Sequence, residues 1–128
     1  MSAWVWLHPM VVLAMHEEHL AVHGGLPGLR DQTMLDSALA RPRNKAAYED
    51  ADAATIAAAD AWGIVRNHPF HDGNKRTGLL VAELFLALNG YRLTADDAAC
   101  VLMFDALAAG QVAEEELADW IRARLARH

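Results

Sequence analysis

Apolar and polar positions along the chain repeat with a helical period over most of its length. After Pro9, a residue suited to the first position of a helix, Val11, Val12, Met15, His19 and Val22 give one apolar-biased face, and Gly24-Gly25 ends the run. A second, short helix is expected from Thr33 to Ala40, with Met34, Leu35, Ala38 and Leu39 inward and Pro42 as its stop. The stretch Arg43 to Asp52 lacks apolar periodicity and reads as an exposed loop or short hairpin, a natural flap. Alanine-rich Ala53 to Asn67 has strong helix propensity. It should end before His68, because the residue preceding a proline is pushed out of the α region. The next helix, about Asn74 to Leu88, is expected to bury Leu80, Leu84 and Leu88 beside Val81 and Phe85, and so wide an apolar face predicts a central place. Asn89-Gly90 supplies its stop.

Thr94 with Asp97 reads as a capping box using Asp in place of Glu, opening a helix through Val101, Leu102 and Leu107 that closes at Gly110. A final helix would carry Glu114-Glu115-Glu116 in its first turn and Arg122, Arg124 and Arg127 in its last turns, a charge order that complements the helix dipole. Six helical segments, with no convincing run of strands and no internal repeat, predict an all-α bundle. A length of 128 residues predicts a single domain, residues 1–128, able to bury a core without disulfides or a structural metal.

Composition narrows the classes of function. The formal charge of −6 argues against direct nucleic-acid binding, which relies on clustered Lys and Arg. No window has the roughly eighteen apolar residues of a membrane span, and the start of the chain lacks the pattern of a signal peptide. The single cysteine, Cys100, reads as a buried small hydrophobe, consistent with a reducing cytoplasm. Trp4 and Trp6 are expected at the core or its edge, with a contact surface as the alternative.

The chemistry is concentrated in His68-Pro69-Phe70-His71-Asp72-Gly73-Asn74-Lys75-Arg76-Thr77-Gly78, just before an apolar helix. A helix N-terminus carries unpaired N–H groups and positive dipole potential, so a glycine-containing turn entering a helix with Lys75 and Arg76 in its first turn suits a polyphosphate. Cations there oppose the dipole unless something anionic binds, which favours a functional reading of both. Asp72 would hold Mg²⁺ against the phosphates, or cap the following helix. His68 is the candidate general base, since imidazole is the side chain that exchanges protons near neutral pH. His16, His19 and His23 share a helical face and form the competing constellation, but His16-Glu17-Glu18-His19 is not a zinc-protease pattern. They read as surface histidines.

The run His68-Pro69-Phe70-x-Asp72-Gly73-Asn74-Lys75-Arg76 resembles the signature loop of the Fic/Doc family, and Lys75 looks like the Doc branch; the AMP-transferring Fic branch usually has glycine there and a second arginine where Leu79 stands. The segments Gly24-Gly25-x-x-Gly28-Leu29-Arg30-Asp31, Leu35 to Pro42 and Leu84 to Tyr91 also look like Doc-type toxins, so the likeness spans essentially the whole chain. The resemblance implies a compact all-helical fold, ATP and Mg²⁺ as cofactors, a protein hydroxyl as acceptor with elongation factor Tu the leading candidate, and a cognate antitoxin. It gives His68 the role of base, Asp72 that of metal ligand and Arg76 that of phosphate ligand. Asn74 helps fix the loop and contacts phosphate or metal, the Gly73–Asn74 amides with Lys75 and Arg76 neutralise charge on the phosphates, and Lys75 inverts the nucleotide so that the γ-phosphate faces the acceptor. The restraining Ser/Thr-x-x-x-Glu-Gly/Asn pattern of self-inhibited relatives is missing. Inhibition is therefore expected from a separate chain, whose C-terminal part folds as an amphipathic helix into an apolar groove near the flap. An AMP transferase and a catalytically silent binding module are the rival readings.

Overall fold

The computed structural model describes residues 3–128. Six helices are present: α1 (Pro9–His23), α2 (Gln32–Tyr48), α3 (Ala53–Asn67), α4 (Asn74–Leu88), α5 (Asp97–Ala108) and α6 (Glu114–Arg122). Two short strands, β1 (Tyr91–Leu93) and β2 (Leu125–Arg127), accompany them. The fold is all-α apart from that ribbon. His8 caps α1 by accepting from the Met10 N–H at 3.0 Å, Asp31 caps α2 and Asp52 caps α3, so local sequence sets these starts.

The central helix is α3, not α4. Small residues allow this: Ala53, Ala54, Ala57, Ala58, Ala59, Ala61 and Gly63 are all buried along α3 together with Ile56, Ile64 and Val65, and α2, α4, α5 and α6 pack around it. A Cβ at position 63 would lie 2.9 Å from the backbone of Ala38, which measures how closely α2 approaches. On α4 the buried hydrophobic side chains are Leu79, Val81, Ala82, Phe85 and Leu86, while Leu80 and Leu84 are half-buried and Leu88 is exposed. The inward face is rotated from the expected Leu80–Leu84–Leu88 line.

Pro42 does not stop α2. Leu35, Ala38, Pro42 and half-buried Ala46 continue one apolar stripe against the core. Burying that stripe offsets the hydrogen bond a mid-helix proline removes. The expected flap is therefore helical as far as Tyr48, and only the link from Glu49 to Asp52 remains irregular.

The C-terminal end also departs from expectation. The last helix stops at Arg122, and β2 pairs antiparallel with β1, placing Tyr91 opposite Arg127 and Leu93 opposite Leu125. Arg124 and Arg127 stack instead on Trp120 and Tyr91. Thr94 closes this ribbon through two bonds to the Arg124 carbonyl, at 2.7 and 2.9 Å, and α5 is capped by Asp96. Trp4 and Trp6 lie against Phe85 at the edge of the core. Cys100 is buried, and burial foremost raises its thiol pKa. No helix of the described residues is long and apolar enough to cross a membrane.

Candidate active site

The linker between α3 and α4 is built from its anchors outward. Phe70 is almost wholly buried beside Val12, Leu35, Ile64 and Val81, which pins the middle of the linker into a second apolar cluster. Asn74 then closes the turn: its Oδ1 accepts from the Phe70 N–H at 3.0 Å and its Nδ2 donates to the Phe70 carbonyl at 2.9 Å. Both polar atoms of the side chain are spent on the loop. Asn74 thus fixes the turn as expected, but its amide is not aimed at a ligand.

The segment from Gly24 to Asp31 straps this linker from outside. Leu29 bridges Phe70 in antiparallel fashion. Around it the His71 N–H donates to the Gly28 carbonyl at 3.2 Å, and the N–H groups of Arg30 and Asp31 donate to the Pro69 carbonyl at 2.7 and 3.0 Å. Asp72 is exposed, its Oδ2 accepting from the Leu26 N–H at 2.9 Å. It does not cap α4; Gly73 occupies that position, with φ +78°. A side chain at Gly73 would also meet the His19 ring at 3.2 Å, so the left-handed backbone favours glycine and the ring leaves little room for anything larger.

His68 ends α3 in the left-handed conformation, φ 52° and ψ 54°, the one non-glycine residue with positive φ among those described. Pro69 does end the helix, yet His68 takes the left-handed region and not the extended one a following proline favours. Its exposed imidazole borders a cleft of about 450 Å³ that Asp72, Gly73, Lys75 and Arg76 also line, with Asp105 of α5 on the opposite wall. The open N–H groups of the first turn of α4 lie at that end of the molecule, with no acidic residue in the turn. The structure brings together every residue singled out in the loop.

The electrostatics add two features. Lys75 Nζ pairs with Asp105 Oδ1 at 2.8 Å, so an anion from α5 answers the dipole penalty that had argued for a bound ligand. Arg76 makes no ion pair with a described residue and is the cation left open to an anionic guest. His19, beside it, has its pKa lowered by burial first and then by His23, Arg76 and His16. Glu83 is pushed up by burial, with Arg76 opposing and Asp97 adding to the rise.

The three histidines of α1 do not converge as a ligand set. No group of three metal-capable side chains occurs among the described residues. His16 is buried, not on the surface: its ring stacks on Phe70 at 3.8 Å and its Nε2 donates to the Asp72 carbonyl at 2.8 Å. The same absence of a three-ligand group bears on Mg²⁺. Of the two carboxylates on the cleft, Asp105 is paired with Lys75 and Asp72 is paired with no cation among the described residues, which fits a metal ion held chiefly by nucleotide phosphates and water and not by a protein cage.

The Fic/DOC family model matches residues 6–86, which takes in α1, the strap, the loop and most of α4. The chain belongs to the Fic/Doc family. It is similar to the protein kinase doc of Escherichia phage P1, with 32% identity over 117 residues covering 91% of this chain and 92% of that protein. It is also similar to the toxin Doc of Mycolicibacterium smegmatis, with 43% identity over 75 residues covering 57% of this chain and 58% of that protein. Both relatives are of the Doc branch, as Lys75 and Leu79 suggest. Three residues about the site were given no part in it by the sequence: His16, which was read as a surface histidine, Arg30 and Asp105. Arg30 stood in a segment that matched the family without a stated role, and nothing local connects Asp105 to a lysine thirty positions earlier.

Proposed function

We propose that the protein is a Doc-like toxin that moves the γ-phosphate of ATP to a serine or threonine hydroxyl of a translation component, with elongation factor Tu as the leading target. The observation that carries this reading is the placing of His68 on the same cleft as Asp72, Lys75, Arg76 and the N-terminus of α4. A base, a metal-holding carboxylate and phosphate-binding cations then face one volume large enough for a nucleotide.

In this scheme the acceptor oxygen attacks the γ-phosphorus while the imidazole of His68 takes its proton. The bond from the γ-phosphorus to the β,γ-bridging oxygen breaks, and ADP leaves. Arg76, Lys75 and the amides of Gly73 and Asn74 carry the charge on the phosphate oxygens, which is stabilisation by preorganised dipoles and cations. Asp72 would hold Mg²⁺, which when bound neutralises phosphate charge. Leu79 packs in the main core instead of lining the cleft, so no second arginine serves the AMP-transferring chemistry from that position.

A cognate antitoxin is the expected partner. Because Arg43 to Tyr48 is helical, a flap that aligned the target by strand pairing would be confined to the short link after α2. The deciding experiment incubates the pure protein with bacterial lysate and either γ- or α-labelled ATP. Label from the γ position only, lost in His68→Ala by about 10²–10⁴-fold, supports the reading. Label from the α position only would establish nucleotidyl transfer, and no label with either would leave a binding module.

A further inference from the structure

Three consecutive carbonyls surround the proposed base, and one residue holds all of them. Arg30 donates from Nε to the His68 carbonyl at 2.6 Å and from a terminal guanidinium nitrogen to the Asn67 carbonyl at 3.0 Å. Its backbone N–H reaches the Pro69 carbonyl at 2.7 Å. The first two carbonyls lie at the C-terminus of α3, where helix carbonyls lack partners within the helix and the dipole is negative, so a forked cation is the side chain best matched to them. No carboxylate among the described residues pairs with Arg30.

The geometry of His68 explains why such a hold matters. A residue with a Cβ is disfavoured in the left-handed region, and helices that end this way usually place glycine there. A base needs a side chain, so glycine is not an option at this position. We infer that Arg30 is a positioning residue: its guanidinium locks His68 in the left-handed conformation and thereby aims the imidazole into the cleft. It does not line the cleft and acts only through the backbone of its neighbour. The inference rests on the reading of His68 as the base.

The test uses the full chain as wild type, Arg30→Lys and Arg30→Met. Methionine keeps the stem and the backbone bond to Pro69 and removes the fork. Mg·ATP affinity, titrated calorimetrically, should stay within about twofold. Turnover at saturating ATP should fall on the order of tenfold or more in Arg30→Met, since small misplacements of a reacting group are costly, and by less in Arg30→Lys. A second arm is independent of activity. Arg30→Met should lower the melting temperature clearly when His68 is present and by much less in a His68→Gly background, because glycine adopts the left-handed region unaided. Unchanged turnover in Arg30→Met, or equal losses of melting temperature in the two backgrounds, would overturn the inference. A wild-type protein that transfers no label would sink the proposed function instead, and the stability comparison alone would then judge the clamp.

Discussion

Truncating Asn74 to alanine strips the Phe70 amide and carbonyl of their partners in a place where water does not reach, since Asn74 is 5% and Phe70 1% exposed. Each buried backbone group left unpaired costs about 1–3 kcal/mol. Two such groups bring the loss to roughly 2–6 kcal/mol, less about 0.5 kcal/mol returned because alanine is the better helix former. Movement of the loop toward water would relieve part of it, so a net loss of about 2–4 kcal/mol is expected, against a total stability on the order of 5–15 kcal/mol. Urea denaturation should show the midpoint shifted with an unchanged slope, and the melting temperature should fall on the order of 10 °C. Label transfer should fall in the same variant under conditions where it is fully folded, because the turn carrying Asp72 and Gly73 is closed by this side chain. A loss of less than about 1 kcal/mol would refute the clasp as the loop's main restraint.

Asp105→Asn frees Lys75 for phosphate and should tighten Mg·ATP binding about two- to fivefold, the range expected of an exposed ion pair; the gain should vanish in a Lys75→Met background, and weaker binding in the single variant would show that the carboxylate serves the ligand instead. The Arg122 guanidinium, with the Thr55 amide and hydroxyl and against the opposing effect of burial, holds Asp52 well below the usual carboxylate range. A depressed carboxyl stabilises the fold above its unfolded value near 4 and loses that contribution as pH falls. Arg122→Met should therefore cost under about 1 kcal/mol at pH 7, the pair being half-exposed, and the gap in urea midpoints should shrink below about pH 4; a gap constant with pH would contradict this. Gly63→Ala forces a methyl into the Ala38 backbone and should destabilise by about 1–3 kcal/mol, whereas an unchanged midpoint would mean that α2 and α3 can separate without loss.

How far the residues themselves disclose this molecule depends on the range of the forces involved. The ends of α3 and α4 were legible because Pro69 and Asn89-Gly90 act within a turn, the body of α3 because alanine favours helix, and the loop because its chemistry is contiguous. Pro42 misled because its local cost is plain in the sequence, while the stripe of Leu35, Ala38 and Ala46 that overrides it gains its value only against α3. The β1–β2 ribbon was hidden for a like reason, since each strand has three residues and exists only through the other. His16 was read as a surface group because histidine is usually exposed, and only the linker fifty-six positions later gives its ring a stacking partner and an acceptor. Asp105 offers no signal at all until α5 folds back over α4.

The supports of His68 and Asp72 have a consequence for the order in which this protein is made. His16 and the strap leave the ribosome first, the loop follows, and Asn74 with the amides of α4 comes last. A nascent chain that has just exposed His68 therefore has the proposed base with neither the Asn74 clasp nor the N-terminus of α4. On the proposed reading the site is complete only when α4, which carries Lys75 and Arg76, has docked. The same dependence works in reverse: detaching α1 from the linker removes the His16 contact that seats the Asp72 carbonyl while leaving every residue of the signature loop intact.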